Sequence, residues 1–290
     1  MPELPEVETV KRLLEQKITG HTITKLEILT AKSFIGDPCD VIGQKITHFT
    51  RLGKQLSIHL SNHQILLVHL KMTGQLIYLA ALSKEGIGKG LYMGHPTKDM
   101  FTTKFPSKST RLIFTFSNHS TLYFNDQRKF GWVKVLSRDE LVESQSKVGI
   151  DILDPRYTLQ YFTAQLKTTS RPIKVVLLDQ NKFAGLGNIY ANDALFIAKI
   201  DPRHPAKSIP APRIRILHRA TIDLINESIN HGGSTAKDNL YLHPDGTIGS
   251  HQYHFRVYQR QKEPCPICGQ PILRLNLGGR GTFYCSHCQK

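Results

Sequence analysis

Val7, Val10 and Leu14 recur at i, i+3 and i+7 behind Pro5, with Glu6 and Glu8 near the start, and this spacing predicts a helix over about 5–17. From Thr22 to Leu136 the period shortens. Runs such as ITKLEIL, KQLSIHL, ILLVHL, TRLIFTF, TLYFND and WVKVL, separated by Gly, Asn, Asp and Ser, read as short strands and so as a β-rich region of two packed sheets. Between Lys84 and Ser109 neither period holds, and Lys, Gly, Thr and Pro predict a long, mobile, basic loop. From Asp151 onward the spacing turns helical in YTLQYFTAQL, PIKVVLLDQ, GNIYANDALFIAKI and PRIRILHRATIDLINESIN. The prolines of DPRHPAKSIPA forbid one continuous helix across the last two, so two helices joined by a rigid connector are expected. HGGST (His231 to Thr235) and a polar stretch through Tyr253 follow.

Length and charge narrow the classes. A chain of 290 residues, 40% hydrophobic, can bury a sizeable core as about two domains, which excludes a staple-dependent miniprotein. No run reaches the roughly 18 apolar residues of a membrane span, and MPELPEVETV has neither the basic start nor the apolar core of a signal peptide; a soluble cytoplasmic protein is expected. Lys and Arg number 38 against 23 Asp and Glu, a formal charge of +15. A polyanion would relieve that self-repulsion, and nucleic acid comes before an anionic membrane surface. Four of five cysteines lie in the last 26 residues as Cys265, Cys268, Cys285 and Cys288, a C-x2-C, x16, C-x2-C pattern that fits a ribbon holding one structural Zn2+. Two disulfides would need an oxidising compartment. Cys39 reads as an incidental loop thiol.

The first ten residues are anomalous in so basic a chain, with Glu3, Glu6 and Glu8 and no Lys or Arg. An initiator Met is usually removed before a residue as small as Pro2, which would expose a secondary amine. Such an amine titrates near about 8 and is partly nucleophilic at neutral pH. Attack on an aldehyde-level carbon gives an iminium ion, and Glu3 could supply the proton that opening a sugar ring requires. The plain alternative is helix capping.

MPELPEVETV, HLKMTG (His69 to Gly74), NDQRKFG (Asn125 to Gly131), AGLGNIYANDALF (Ala184 to Phe196), HGGST and GRGTFYCSHCQK together resemble the bacterial formamidopyrimidine-DNA glycosylases over nearly the whole chain and in the family's order. The resemblance implies an α+β fold. An N-terminal β-sandwich with a leading helix (2–136) would be followed by a helix-two-turn-helix domain with a lesion-covering loop (150–250) and a zinc finger (251–290), with DNA in the cleft between. It implies a monomer without a small-molecule cofactor that excises oxidised purines from damaged duplex DNA and then cleaves the strand. The setting would be the bacterial cytoplasm, on the nucleoid when DNA is bound. Pro2 would be the Schiff-base nucleophile and Glu3 the proton donor, with Glu6 assisting. Lys54 matches the lysine credited with proton transfer in β-elimination, and Arg280 the arginine assigned to δ-elimination and phosphate binding. His69 and Asn188 match phosphate contacts, and Lys174 and Lys237 further DNA contacts. Met72, Arg128 and Phe130 match the side chains that fill the gap left by an extruded nucleotide. From residue type alone His69 and Asn188 could equally be structural hydrogen bonders, and Met72 and Phe130 core residues.

The chain departs from the family pattern in having Ser109 for a histidine, Lys71 for the usual Gly, Thr169 for a lysine, and a longer basic loop at 84–109. An endonuclease VIII-like relative acting on oxidised pyrimidines is the nearest rival, and Phe130 with the full-length stretch after HGGST argues against it. A catalytically silent zinc-ribbon DNA binder is the rival from another class. Pro2, Glu3, Lys54 and Arg280 together argue against that.

Overall fold

The computed structural model describes residues 2–81, 90–94, 105–234 and 249–290, with backbone alone at 90–94. Contacts sort the chain into two compact units, one of residues up to 146 with 231–250 and the other of 147–230 with 251–290.

The first unit opens with α1 (Leu4–Ile18), whose buried Val7, Val10, Leu14 and Ile18 form one apolar face. Among the described residues ten strands follow: β1 (Ile23–Ile28), β2 (Phe34–Ile35), β3 (Ile46–Leu52), β4 (Gln55–Leu60), β5 (Ile65–His69), β6 (Gly74–Leu79), β7 (Gly90–Gly94), β8 (Thr110–Phe116), β9 (Thr121–Asp126) and β10 (Trp132–Leu136). They form two five-stranded sheets, ordered β1-β8-β9-β6-β7 and β2-β10-β5-β4-β3, antiparallel except for the β2–β10 pair. One core joins them. Leu56, Ile58, Leu66, Val68 and Val133 from one sheet meet Leu76, Leu112, Phe114, Leu122 and Phe124 from the other, together with the α1 face. At about 1.5–3 kcal/mol for each large apolar side chain buried, this layer is the main support of the unit.

The expected strand runs all appear, and so do β2, β3, β6 and β7, which the pattern of the chain did not announce. β7 corrects the reading of 84–109 as wholly loop. It pairs antiparallel with β6, Leu79 opposite Gly90 and Gln75 opposite Gly94. Three residues between two glycines are too few to show a period of two, and a neighbouring edge supplies the pairing. Of the rest of that segment, 84–89 and 95–104 lie outside the described residues, and 105–109 lead by bends and a turn into β8. A short helix α2 (Arg138–Gln145) was also unannounced, although Ser137 and Glu140 form a capping box at its start.

The second unit holds α3 (Leu159–Lys167), α4 (Ile173–Leu177), α5 (Asn188–Ile197) and α6 (Ala211–Asn230), the strand pair β11 (Ile150–Asp151) with β12 (Phe183–Ala184), and the hairpin β13 (Leu273–Leu277) with β14 (Arg280–Tyr284). Buried Leu195, Leu217 and Leu224 line α5 and α6, and Tyr190 Oη lies 2.7 Å from Ser228 Oγ between them. Asp193 on α5 is buried and accepts from the backbone N–H groups of Arg256, Val257 and Tyr258 at 2.9–3.1 Å. Burial pushes its carboxyl above the ordinary range against those donors, so the carboxyl staples the start of the ribbon to the helix. Among the described residues no helix is long and apolar enough to cross a membrane.

Candidate active site

Glu3 is the N-cap of α1, and Pro2 just before it is buried. The Glu3 backbone N–H donates to Glu6 Oε2 at 2.9 Å, one arm of a capping box. Glu6 Oε1 accepts from the Ser234 backbone N–H at 2.7 Å and from Ser234 Oγ at 2.9 Å. Gly233 stands beside it at φ +85°, where a Cβ would come within 3.1 Å of the Glu6 side chain. One carboxylate thus closes the first helical turn and clasps the HGGS segment, while the Glu3 side chain, 3% exposed, lies at the positive end of the helix dipole.

Lys54 occupies the tight turn between β3 and β4, and an ion pair fixes that turn to α1. Glu8 Oε2 accepts from Arg51 Nε at 2.8 Å, and Arg51 Nη1 donates to Gly53 O at 3.0 Å. Burial works to raise the Glu8 carboxyl, but the Arg51 and Arg12 guanidinium groups outweigh it and hold it below the usual carboxylate range. Sequence reasoning missed this brace, since neither residue stands out until helix and turn are seen together.

His69 ends β5 opposite Gln55, the residue after Lys54. Its Nδ1 accepts from the Lys71 backbone N–H at 3.0 Å, which leaves its proton on Nε2 when the ring is neutral. Burial, then the ammonium groups of Lys71 and Lys54, hold its pKa down to about 3. The group is therefore a neutral N–H donor beside two cations, suited to a phosphate oxygen. Lys71 has φ +52°, the left-handed region, which accounts for the more usual glycine there.

Phe130 is 55% exposed, so core packing is ruled out for it. The Arg128 guanidinium carbon lies 5.1 Å from its ring centroid, and Met72 is half-buried in the turn between β5 and β6.

In the second unit, Arg280 is exposed at the tip of the β13–β14 hairpin, which turns through Gly278 and Gly279. Lys174 corrects the expectation of a DNA contact. It is fully buried, and its Nζ donates to Gly281 O at 2.9 Å and Thr282 Oγ1 at 2.7 Å, so it props the hairpin from within. Asn188, first residue of α5, donates to Gly281 O at 3.1 Å, and Asn192 Oδ1 accepts from Phe283 N at 2.8 Å. Asn188 is still half-exposed at a helix N-terminus. Lys237 lies outside the described residues.

The four expected metal-ligand sulfurs all lie within 4.8 Å of one another, with Cys265 Sγ 3.9 Å from Cys288 Sγ and Cys268 Sγ 3.5 Å from Cys285 Sγ. Tetrahedral zinc with bonds of about 2.3 Å spaces its sulfurs about 3.8 Å apart, whereas a disulfide needs about 2.05 Å. The cluster fits one structural zinc. Phe196, Val257, Ile272 and Phe283 surround it with a small apolar core.

Three family models match in order: the formamidopyrimidine-DNA glycosylase N-terminal domain over residues 1–133, the helix-two-turn-helix (H2TH) domain of the same family over 148–239, and the zinc finger found in FPG and IleRS over 262–290. The chain belongs to the formamidopyrimidine-DNA glycosylase family. Relatives with that name from Pelotomaculum thermopropionicum and Listeria innocua are each 36% identical over 297 residues, covering all of this chain and 99% and 100% of theirs. Among solved structures, the MutM (FPG) protein of Thermus thermophilus superposes with a TM-score of 0.84 at 34% identity, covering 99% of this chain and 98% of that one. A Lactococcus lactis FPG mutant, in complex with Fapy-dG-containing DNA, superposes at 0.85 and 29% identity with both chains fully covered. Members of the family are DNA glycosylases of base excision repair with an associated abasic-site lyase activity and a proline Schiff base.

Proposed function

We propose that this family member excises oxidised purines, formamidopyrimidine and 8-oxoguanine among them, from duplex DNA through Pro2 and then cleaves the strand. One observation carries the assignment of residues: a buried Pro2–Glu3 pair at the mouth of α1, with Glu6 closing the turn behind it. After loss of Met1, the Pro2 nitrogen bonds to C1′ as the C1′–base bond breaks, its electron pair leaving with the base, and the ammonium formed gives up its proton to the departing base. Its lone pair then expels the ring oxygen O4′, which takes a proton from Glu3, and an iminium remains. Removal of a C2′ proton, assigned to Lys54, expels the 3′ phosphate. A second elimination, assigned to Arg280, removes the C4′ proton and expels the 5′ phosphate. His69 and Asn188 are assigned to phosphates, with Lys237 near the extruded base.

The wedge assignment of Met72, Arg128 and Phe130 is supported by the exposure of Phe130 and its stacking with Arg128. In this reading residues 2–136 form the catalytic β-sandwich with Pro2, Glu3 and Lys54, 150–250 the helix-two-turn-helix and lesion-covering loop, and 251–290 the finger that carries Arg280. The enzyme works in the bacterial cytoplasm, on the nucleoid when DNA is bound. Borohydride should trap a covalent protein–DNA adduct that maps to the N-terminal peptide. An adduct on an internal lysine, or none, would reject Pro2 as nucleophile.

A further inference from the structure

The loop from Asp126 to Trp132 carries Arg128 and Phe130 outward, yet the residue that organises it is wholly buried. Asp126 is 0% exposed. Its Oδ1 accepts a very short hydrogen bond from Thr73 Oγ1 and another from the Arg128 backbone N–H at 3.1 Å. Its Oδ2 accepts from the Gly131 backbone N–H at 2.6 Å. Thr73 Oγ1 in turn accepts from the same Arg128 N–H at 3.1 Å. The main chain of Asp126 is held as firmly, its N–H donating to Ser109 O and its carbonyl accepting from Arg111 Nε, both at 2.8 Å.

One carboxylate therefore gathers both ends of the Arg128–Phe130 loop and the residue next to Met72. Gly131 makes that approach possible, because a Cβ there would meet the Phe124 ring at 2.8 Å and Asp126 Oδ2 at 3.1 Å. Lys129, at φ +58°, reverses the chain between Arg128 and Phe130 and leaves their side chains stacked. An uncompensated carboxylate would not stay at such depth, and the backbone N–H groups and the hydroxyl compensate it.

We infer that Asp126 and Thr73 are positioning residues that lock Met72, Arg128 and Phe130 into one preformed wedge, so that the ordering of two loops is complete before DNA arrives. The inference rests on the wedge reading of those three side chains. A preassembled wedge lowers the cost of extruding a paired nucleotide and has little to offer at a site that has already lost its base.

The test compares Asp126→Asn, Thr73→Val, Thr73→Ser and Phe130→Ala in single-turnover cleavage of two duplexes, one with oxidised guanine opposite cytosine and one with a preformed abasic site. A fluorescent base analogue beside the lesion reports wedge insertion. Asp126→Asn and Thr73→Val should slow the paired lesion about tenfold or more and the abasic site less than about threefold, with slower insertion, and Thr73→Ser should restore both. Thr73→Val decides the matter if Asp126→Asn does not fold. Equal losses on the two substrates, or insertion at the wild-type rate in folded variants while Phe130→Ala separates the substrates, would overturn the inference. If Phe130→Ala itself fails to separate them, the wedge reading falls first and takes the inference with it.

Discussion

Glu3 and Glu6 share one helical turn but have different tasks. Glu6 accepts hydrogen bonds from the Glu3 and Ser234 N–H groups and from Ser234 Oγ that shape the mouth of α1, whereas Glu3, the N-cap, directly follows the proposed nucleophile in the chain. Glu3→Gln removes a transferable proton and little volume. It should suppress base excision by about 10²–10⁴-fold and cleavage of a preformed abasic site much less, and equal losses would contradict its assignment as acid. His69 offers a second measurement through acid. Its folded pKa is depressed to about 3, so between that value and the ordinary 6.5 the unfolded chain binds more protons. Stability is therefore complete above about pH 6.5 and lost as pH falls toward 3. His59, lowered to about 4 mainly by burial, acts with the same sign. Urea unfolding of His69→Gln at several pH values should show a flatter decline than the parent. A slope identical to the parent's would mean that His69 is not held neutral.

Among the elements, those with long periodic or capped sequences were legible in the chain, and those defined by a neighbour were not. The leading helix was expected at 5–17 and spans Leu4–Ile18, because capping and the apolar stripe are local properties. β7 exists through pairing with β6, and Lys174 was read as a DNA contact because nothing local shows that a hairpin a hundred residues later would cover it. Asp126 was passed over beside the more conspicuous Arg128 and Phe130, since its importance lies in the backbone donors that only the folded loop brings to it. The zinc spacing was legible because two C-x2-C turns nearly fix their own geometry. Cys265, Cys268, Cys285 and Cys288 would hold a bound zinc with four thiolates, leaving no open position for water, so the ion would serve to shape the β13–β14 hairpin. Cys285→Ser or strong chelation should release the metal, measured as zinc per chain. DNA binding should vanish while most of the far-ultraviolet helix and strand signal remains. Normal binding by zinc-free protein would contradict this role.

For the molecule as a whole, a formal charge of +15 favours a polyanion, and the number of phosphates neutralised sets how binding responds to salt. Each phosphate neutralised adds about 0.9 to the slope of log K against log salt concentration, so Arg280→Ala should lower that slope by about one. Lys174→Met removes the same formal charge from a buried site. It should weaken binding by loosening the hairpin and leave the slope close to that of the parent. A slope reduced equally by both would restore Lys174 to the DNA surface.

Ser234 stands 228 positions after Glu6, yet its hydrogen bonds complete the first turn of the chain. On the ribosome, the segment bearing Pro2 is therefore made well before this partner. The zinc ligands come later still. A chain ended before Ser234 therefore carries Pro2 and Glu6 without the hydrogen bonds that Ser234 supplies. If Pro2 is the nucleophile, a chain ended before Ser234 lacks the clasp that completes its surroundings.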